Sequence, residues 1–389
     1  MPVLNRIVEF HAEATEWRRD IHQNPELLFE VHRTAALVEE KLKEFGVDEI
    51  ATGIGRTGVV GVIKGRKTES GKVIGLRADM DALPINEVRD LPYKSQTPGL
   101  MHACGHDGHT TMLLAAAKYL AETRNFDGTA VVIFQPAEEG GGGGDEMVKD
   151  GMMDRWGIQE VYGMHNAPNI PTGAFAMRTG PLLAAADTFD VRIEGVGGHA
   201  ARPHDCVDPV PIAAQLITAF QTVVARNTDP LESLVISTTQ MQASDAHNII
   251  PQVVTLNGTV RTLSAEVRDL AERRMGEICE NMGKAFGATV TLAYHRGYPV
   301  TVNHPDQTDF AASIARDVAG DAMVDANVEP IMGAEDFSYM LEARPGAFVF
   351  LGQGDGPICH HPEYDFNDEI IPVGATFWSR LVETAMPAD

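Results

Sequence analysis

The sequence is poor in cysteine and has no long apolar run. Four cysteines in 389 residues are too few for the disulfide framework of a small secreted scaffold. No run approaches the roughly 18 apolar residues of a membrane span. The amino-terminal segment also lacks the apolar core of a signal peptide. These absences predict a cytoplasmic protein with no membrane partner.

Positive charge is also scarce. The chain has 31 Lys and Arg against 55 Asp and Glu, which gives a formal net charge of −24. A nucleic-acid-binding protein needs a basic surface, and an anionic membrane would repel an acidic one. The charge therefore excludes both partners. It does not identify a substrate, because net charge affects solubility and association rather than fold.

The length and the apolar pattern predict two domains. At roughly 100–200 residues per domain, the chain is long enough for two or three. Strands alternate with helices over residues 1–186 and again over 298–389, which favours an α/β domain with a mixed, largely parallel sheet. Residues 187–297 follow the order strand, helix, strand, strand, helix, strand, which is typical of a ferredoxin-like α+β domain. We therefore expect the second domain to be inserted into the first.

The densest group of metal-binding residue types is His102-Ala-Cys104-Gly-His106-Asp107-Gly-His109. It stands just before a helix predicted over residues 109–122. Thiolate and imidazole suit zinc and other divalent first-row ions. A lone histidine in such a place is as often a helix cap as a ligand, but the whole cluster favours a metal site.

Four further polar motifs follow predicted strands, which end near residues 78, 134, 164 and 351. The motifs are Arg77-Ala-Asp79-Met-Asp81, Glu138-Glu139, Met164-His165-Asn166 and Cys359-His360-His361. Open α/β sheets place their sites at the carboxyl ends of strands, so we expect the motifs to converge on one crevice. Two adjacent carboxylates repel each other unless a cation is near. One of the glutamates can then bind metal while the other moves protons.

The candidate ligands are Cys104, His106, Glu139, His165 and His360. These five candidates are more than the four ligands of a structural zinc site, so a catalytic centre with open positions and one or two metals fits better. Neither HExxH nor a pair of CxxC motifs is present, which excludes the common zincin and zinc-finger interpretations. The zinc deaminase signature is absent as well.

Together these motifs resemble the metal-dependent amidohydrolase family of hippurate hydrolase, N-acyl-amino-acid amidohydrolases and plant auxin-conjugate hydrolases. This family is a branch of the aminoacylase and carboxypeptidase superfamily, and the resemblance covers nearly the whole chain. Further matching motifs are His22-Gln-Asn-Pro-Glu, Gly198-His199, Asn248-Ile-Ile-Pro and Gly333-Ala-Glu335-Asp336-Phe337. The resemblance implies a metal-binding α/β domain with a smaller lid domain that often mediates dimerisation.

The resemblance also implies a cofactor and an assembly. The five candidate ligands would hold a divalent metal, one or two per subunit, such as Mn, Zn, Ni or Co. His360 is preferred over His361, because the family ligand stands two residues before the proline. The protein would be a homodimer or a homotetramer.

The implied reaction is hydrolysis of the amide bond of an N-acyl amino acid, either N-aroyl or N-acetyl. Glu138 would be the general base toward a metal-activated water, and His199 would stabilise the oxyanion. Asp81 is expected to orient a metal ligand. Asn248 and Arg261, on lid segments, are candidates for binding the substrate carboxylate.

Alternative interpretations compete with these roles. In the alternative interpretation, His199 merely caps a helix and Arg261 merely forms a surface ion pair. A dipeptidase or carboxypeptidase of the same superfamily is disfavoured by Cys104-Gly-His106, because the wider superfamily has an aspartate where Cys104 stands. A non-catalytic metal-binding protein would not need the carboxylate of Glu138.

Overall fold

The computed structural model describes residues 3–388, and the chain divides into two compact units. Met1, Pro2 and Asp389, which the predicted domain bounds include, lie outside the described residues. No helix among the described residues is both long and apolar enough to cross a membrane. The first unit comprises Met1–Leu182, Val302–Glu329 and Asp336–Asp389, and the second comprises Leu183–Thr301 and Pro330–Glu335.

Strands and helices are numbered separately in chain order. The strands are β1 (Glu49–Ile54), β2 (Gly58–Lys64), β3 (Val73–Asp79), β4 (Thr129–Gln135), β5 (Glu160–Pro168), β6 (Phe175–Ala176), β7 (Gly180–Leu183), β8 (Ala185–Glu194), β9 (Gly198–His199), β10 (Leu234–Gln242), β11 (Ile249–Ile250), β12 (Val253–Thr262), β13 (Thr289–Arg296), β14 (Thr301–Asn303), β15 (Val324–Asp325) and β16 (Gly346–Gly354). The α-helices are α1 (Asn5–Glu9), α2 (His11–Gln23), α3 (His32–Phe45), α4 (His106–Thr123), α5 (Gly143–Lys149), α6 (Met152–Arg155), α7 (Pro209–Thr222), α8 (Ala265–Phe286), α9 (Pro305–Ala319), α10 (Ser338–Ala343) and α11 (Ile371–Ala385).

The first unit is built on an eight-stranded sheet in the order β1-β2-β4-β3-β5-β16-β6-β15. Strands β4, β3, β5 and β16 run parallel at its centre, whereas β1 and β2 are antiparallel at one edge. The central strands β3, β4 and β16 are almost wholly buried, as is usual for parallel strands. The predicted α/β class with a mixed, largely parallel sheet is confirmed.

The register of this sheet aligns the strand ends that carry the polar motifs. Asp79, the last residue of β3, stands opposite Gln135, the last residue of β4. Arg77 stands opposite Gly163 of β5. The segments that follow these strands therefore leave the sheet from one edge, where open α/β sheets place their sites.

Helix α4 contacts β3 and packs against α2, α3 and α11. It begins at His106, three residues before the predicted start. The cause is Gly105, which adopts a left-handed conformation with φ 98° at the amino cap and so ends the preceding loop early. A Cβ on Gly105 would also lie only 2.1 Å from Oδ1 of Asn166. Only glycine fits between Cys104 and His106.

The second unit has a four-stranded antiparallel sheet in the order β10-β12-β8-β13. Helices α7 and α8 pack against its strands and against each other. They enclose a separate apolar core that includes Phe189, Phe220 and Met275. A short ladder pairs β9 with β11.

Candidate metal centre

Three of the predicted ligands meet beside the amino terminus of α4. Cys104 precedes the helix, His106 is its first residue, and His165 lies on β5. Sγ of Cys104 is 3.3 Å from Nε2 of His165, and the three donor atoms all lie within 4.8 Å of one another. We call Cys104, His106 and His165 the inner donor group.

A second group shares its sulfur. The donor atoms of Cys104, Glu139 and His360 also lie within 4.8 Å of one another, and we call these residues the outer donor group. Oε1 of Glu139 is 3.2 Å from Nε2 of His360, whose side chain is 52% exposed. All five predicted ligands are therefore brought together, and Cys104 is common to both groups.

The donor atoms fit a divalent cation. His106 is fully buried, and neither of its ring nitrogens makes a hydrogen bond of good geometry within the described residues; nor does Oε1 of Glu139. Buried polar atoms almost always have partners. These atoms lack well-formed hydrogen bonds, and a set of one sulfur, imidazole nitrogens and a carboxylate matches the ligand chemistry of zinc and similar ions.

The charges around His106 also favour a cation. Burial opposes a charged ring, but the carboxylates of Asp79, Asp81 and Glu139 outweigh it and raise the pKa of His106 to about 10. A field that stabilises an added proton stabilises a metal ion at the same place. Because imidazole binds metal in its neutral form, cation binding would release this proton.

His165 is in the opposite state. Burial and the neighbouring His109 hold the pKa of His165 well below its usual range, so its ring is neutral at physiological pH. Nδ1 lies 2.7 Å from the carbonyl oxygen of Asn166, which places the proton there and leaves Nε2 as the acceptor nearest Cys104. That is the tautomer that a metal-binding histidine needs.

Asp81 contacts both Glu138 and Glu139 and a member of the inner donor group. Its carboxylate accepts hydrogen bonds from the main-chain N–H groups of Glu138 at 3.0 Å and Glu139 at 3.1 Å. Oδ1 also lies 3.4 Å from Nδ1 of His106. One buried side chain therefore positions the turn that carries both glutamates and the ring of a candidate ligand.

The turn that carries Glu138 and Glu139 is tightly folded. Ala137 has a φ of 54°, which is uncommon for a residue with a side chain. A Cβ on Gly143 would lie 1.7 Å from the carbonyl oxygen of Pro136, so the chain can fold back only because residue 143 is glycine. Glu138 is buried, and a carboxylate oxygen of its side chain lies within 4.8 Å of donor atoms of His106 and Glu139.

The geometry distinguishes the two adjacent histidines after β16. His360 contacts Glu139 and has a φ of 68°, a left-handed conformation held by a 2.7 Å hydrogen bond from its N–H to the carbonyl oxygen of Ala103. Nδ1 of His361 instead accepts a hydrogen bond from the N–H of Glu363 at 3.1 Å. His361 closes the turn, and His360 is the member of the pair that faces the donors.

Several supporting residues were not assigned by sequence reasoning. His109 lies 2.6 Å from Asp79 through Nδ1 and 2.7 Å from Oδ1 of Asn166 through Nε2. Asn166 donates in turn to Gln353 and to the hydroxyl of Tyr364. His109 and Asn166 belong to motifs that the sequence had already marked, whereas Gln353 and Tyr364 carried no local signal.

A second buried network holds the start of α4. Nδ1 of His22 lies 2.9 Å from Oδ2 of Asp107, and Nη1 of Arg18 is 3.4 Å from the same oxygen. Burial opposes charge on the ring, but the hydrogen bonds to Asp107 and Glu87 raise the pKa of His22 to about 9. Since Asp107 follows His106 in the chain, this network fixes the backbone that carries His106.

The remaining predicted residues lie in the second unit. His199 is on β9, and the N–H of Ala200 donates to the carbonyl oxygen of Asn248 at 3.0 Å, so His199 and Asn248 are neighbours. Arg261 lies at the opposite end of β12 from Val253. Eight residues of strand span about 26 Å. His199 follows Glu194, the partner of Val253, by five residues, so His199 and Asn248 belong to the Val253 end of β12 and Arg261 to the other end.

Comparison with known proteins identifies the family. The family model described as Peptidase family M20/M25/M40 matches residues 75–384, and the chain belongs to this family. It is 41% identical over 381 residues to hippurate hydrolase from Campylobacter jejuni, with 98% of each chain covered. It is 38% identical to thermostable carboxypeptidase 2 from Saccharolobus solfataricus, with 96% of this chain and 97% of that protein covered.

A solved structure agrees with these relatives. The YXEP protein of Bacillus subtilis, described as a dinuclear metal binding peptidase of the M20 family, superposes with a TM-score of 0.85 at 32% identity. The match covers 97% of this chain and 99% of that chain. The resemblance stated from the sequence is confirmed, and with it the expectation that this chain is a metal-dependent amide hydrolase.

Proposed function

We propose that this protein hydrolyses the amide bond of N-acyl amino acids, with N-aroyl amino acids such as hippurate as the first substrates to test. The observation that carries the proposal is the pair of donor groups that share Cys104 beside the buried carboxylate of Glu138. Hippurate is an N-aroyl amino acid, so the relative of that name supports this substrate class.

The inner and outer donor groups would hold one or two divalent cations. Their mixture of sulfur, nitrogen and oxygen atoms suits zinc, manganese, nickel or cobalt. A bound cation lowers the pKa of a water molecule and polarises a carbonyl group.

Glu138 is the proposed general base. Its carboxylate can take a proton from the attacking water and return it to the departing amine. The hydrogen bond from its main-chain N–H to Asp81 fixes the backbone of Glu138. The positioning role that we propose for Asp81 rests on this hydrogen bond. The proton acceptor is thereby held close to the donor atoms of His106 and Glu139.

We propose that the second unit is a ferredoxin-like lid. The element order β8-α7-β10-β12-α8-β13 and the strand order of its sheet support this assignment. His199 is the proposed donor to the oxyanion, with Asn248 beside it, and Arg261 the proposed partner of the substrate carboxylate. Because Arg261 lies far from the other two, one copy of the lid cannot present all three to one substrate. This separation supports the predicted homodimer or homotetramer.

A carboxypeptidase is the second candidate, favoured by the relative of that name. Both reactions cleave an amide whose departing amine carries an α-carboxylate. They differ on the acyl side, which is a simple acyl or aroyl group in one case and an amino acid or peptide in the other.

A substrate screen tests both candidates. Purified protein loaded with Mn, Zn, Co or Ni is incubated with benzoyl-, acetyl- and indoleacetyl-amino acids beside dipeptides and longer peptides, and the released amine is measured. We expect hydrolysis of the N-acyl amino acids. Release from peptides alone would replace the first candidate with the second, and no release from any substrate by the loaded protein would contradict both.

A further inference from the structure

Cys359 lies beside Cys104 and has no role in the proposed hydrolysis. The Sγ of Cys359 donates to the carbonyl oxygen of Cys104 at 3.8 Å. Among the described residues, no group of three donor atoms within 4.8 Å of one another includes Cys359. Cys359 is therefore placed to meet the sulfur of Cys104 rather than to serve as a further ligand.

The main chain holds the two cysteines side by side. The N–H of His360 donates to the carbonyl oxygen of Ala103 at 2.7 Å, so the peptide groups next to both cysteines are paired. The Sγ of Cys359 also reaches the carbonyl oxygen of Cys104 itself, at 3.8 Å. A disulfide needs Cα atoms within roughly 4.4 to 6.8 Å of each other, and these two contacts hold the cysteine segments together. A bond between the two sulfurs then needs rotation of side chains rather than movement of the backbone.

We propose that Cys104 and Cys359 form a reversible disulfide with a peroxide as the oxidant when the donor groups hold no cation. Cys359 is partly exposed whereas Cys104 is buried, so the peroxide meets Cys359 first. Its thiol and hydrogen peroxide give a sulfenic acid and water. The thiol of Cys104 then attacks that sulfur, the S–S bond forms, and a second water leaves. Two thiols lose two electrons, and one peroxide becomes two waters.

The disulfide and the cation compete for one atom. The S–S bond removes the only donor common to the inner and outer groups, so neither group stays complete. A bound cation in turn occupies the thiolate of Cys104 and withholds it from oxidation. This competition rests on the proposed function, whereas the cross-link itself does not. A dithiol reductant reverses the bond by exchange.

Peptide mapping tests the cross-link on the full chain. Protein treated with a chelator, and shown by circular dichroism to stay folded, is exposed to hydrogen peroxide, alkylated, and digested without reduction. We expect mass spectrometry to find one peptide pair that joins Cys104 to Cys359. Free thiols in denaturant should fall from the four present to two, and dithiothreitol should restore four. A pair that involves Cys206 or Cys279, or oxidised cysteines without a cross-link, would overturn the proposal.

Two variants and a metal-loaded sample complete the test. Cys359→Ser should form no cross-link, and Cys104 in that variant should proceed to sulfinic and sulfonic acids that dithiothreitol does not reverse. Cys279→Ala, in the core of the second unit, should cross-link as the wild type does. Loading with zinc should slow the cross-link at least about tenfold, as expected when the thiolate is bound.

The outcomes separate this inference from the proposed function. An equal rate of cross-linking with and without zinc would overturn the competition, and hydrolysis is decided separately by the substrate screen. Because the readouts are a mass and a thiol count, the cross-link is decided whether or not the substrate screen finds hydrolysis.

Discussion

The inner and outer donor groups share a sulfur but are supported differently. His106 and His165 lie on a helix and a strand of the core, and His106 is fully buried. Glu139 and His360 lie on the turns that follow β4 and β16, and the side chain of His360 is half exposed. Regular elements hold functional side chains in place better than loops do. We therefore expect the inner group to bind a cation more tightly and the outer group to exchange it with solvent more readily.

The largest effect should follow from removing the atom that the groups share. In Cys104→Ala, both groups lose a ligand, so we expect no tight cation binding by calorimetry. Hydrolysis should fall by more than the roughly 10²–10⁴-fold that loss of an acid–base residue costs. Cys279→Ala is the matched control, since it removes a buried thiol far from both groups in sequence and should keep cation content and activity. One cation bound with wild-type affinity in Cys104→Ala would show that the groups do not share this sulfur.

Glu138→Gln separates proton transfer from cation binding. The change keeps the shape of the side chain but removes its basicity, so the rate of hydrolysis should fall by about 10²–10⁴-fold. The metal content, measured by inductively coupled plasma mass spectrometry, should stay at the wild-type level. The partly exposed Glu146, on the helix α5 that follows this turn, supplies the control variant Glu146→Gln, which should change neither quantity. Wild-type activity in Glu138→Gln would contradict the proposed role of Glu138 as general base.

Truncating one histidine from each group compares them directly. In wild-type protein, isothermal titration calorimetry should resolve a tighter and a weaker step of cation binding. His165→Ala should remove the tighter step, and added metal should not restore activity. His360→Ala should remove the weaker step, and excess metal should restore part of the activity, because water can replace an exposed ligand. Loss of the same step in both variants would contradict the division into two groups.

The sequence predicted the meeting of the motifs because strand ends and their order are local properties. Asp79, His165 and the Glu138-Glu139 pair each follow an apolar run, and parallel strands bring such ends to one edge of a sheet. The same reasoning could not place the start of α4. The helix starts after Gly105, where a Cβ would collide with the side chain of Asn166, and Asn166 lies far away in sequence.

The hydrogen bonds that support the donor groups could not be predicted from the sequence for a related reason. Arg77 binds Asp336 at 3.0 Å, across 259 positions of sequence, and Asn166 binds Gln353 across 187. Such pairs leave no periodic trace, because each polar residue alone looks like an ordinary surface or turn residue. Pairing of distant polar groups is a property of the packed core and becomes visible only there.

A smaller effect is expected for His22, which touches neither donor group. Its pKa of about 9 lies above the roughly 6.5 of an unfolded chain. Protonated His22 therefore stabilises the folded protein fully below about pH 6.5, and this contribution is lost as the pH rises through about 9. The free energy of unfolding of the wild type should fall by up to about 3 kcal/mol over that interval, at 1.36 kcal/mol per unit of pKa, relative to His22→Gln. Urea unfolding of the metal-free protein measures the difference, and parallel pH profiles would contradict the pairing with Asp107.

The same variant tests whether the two groups differ in their support. His22 acts through Asp107 on the backbone of His106, so His22→Gln should loosen the inner group alone. Loss of an outer-sphere partner weakens metal binding by roughly 10–100-fold, and we expect that loss in the tighter calorimetric step only. His32→Gln, an exposed histidine paired with Glu30, is the control and should alter neither step. An equal loss in both steps of His22→Gln would mean that α4 supports the two groups alike, and the outer group would then owe its weaker binding to exposure rather than to its place on turns.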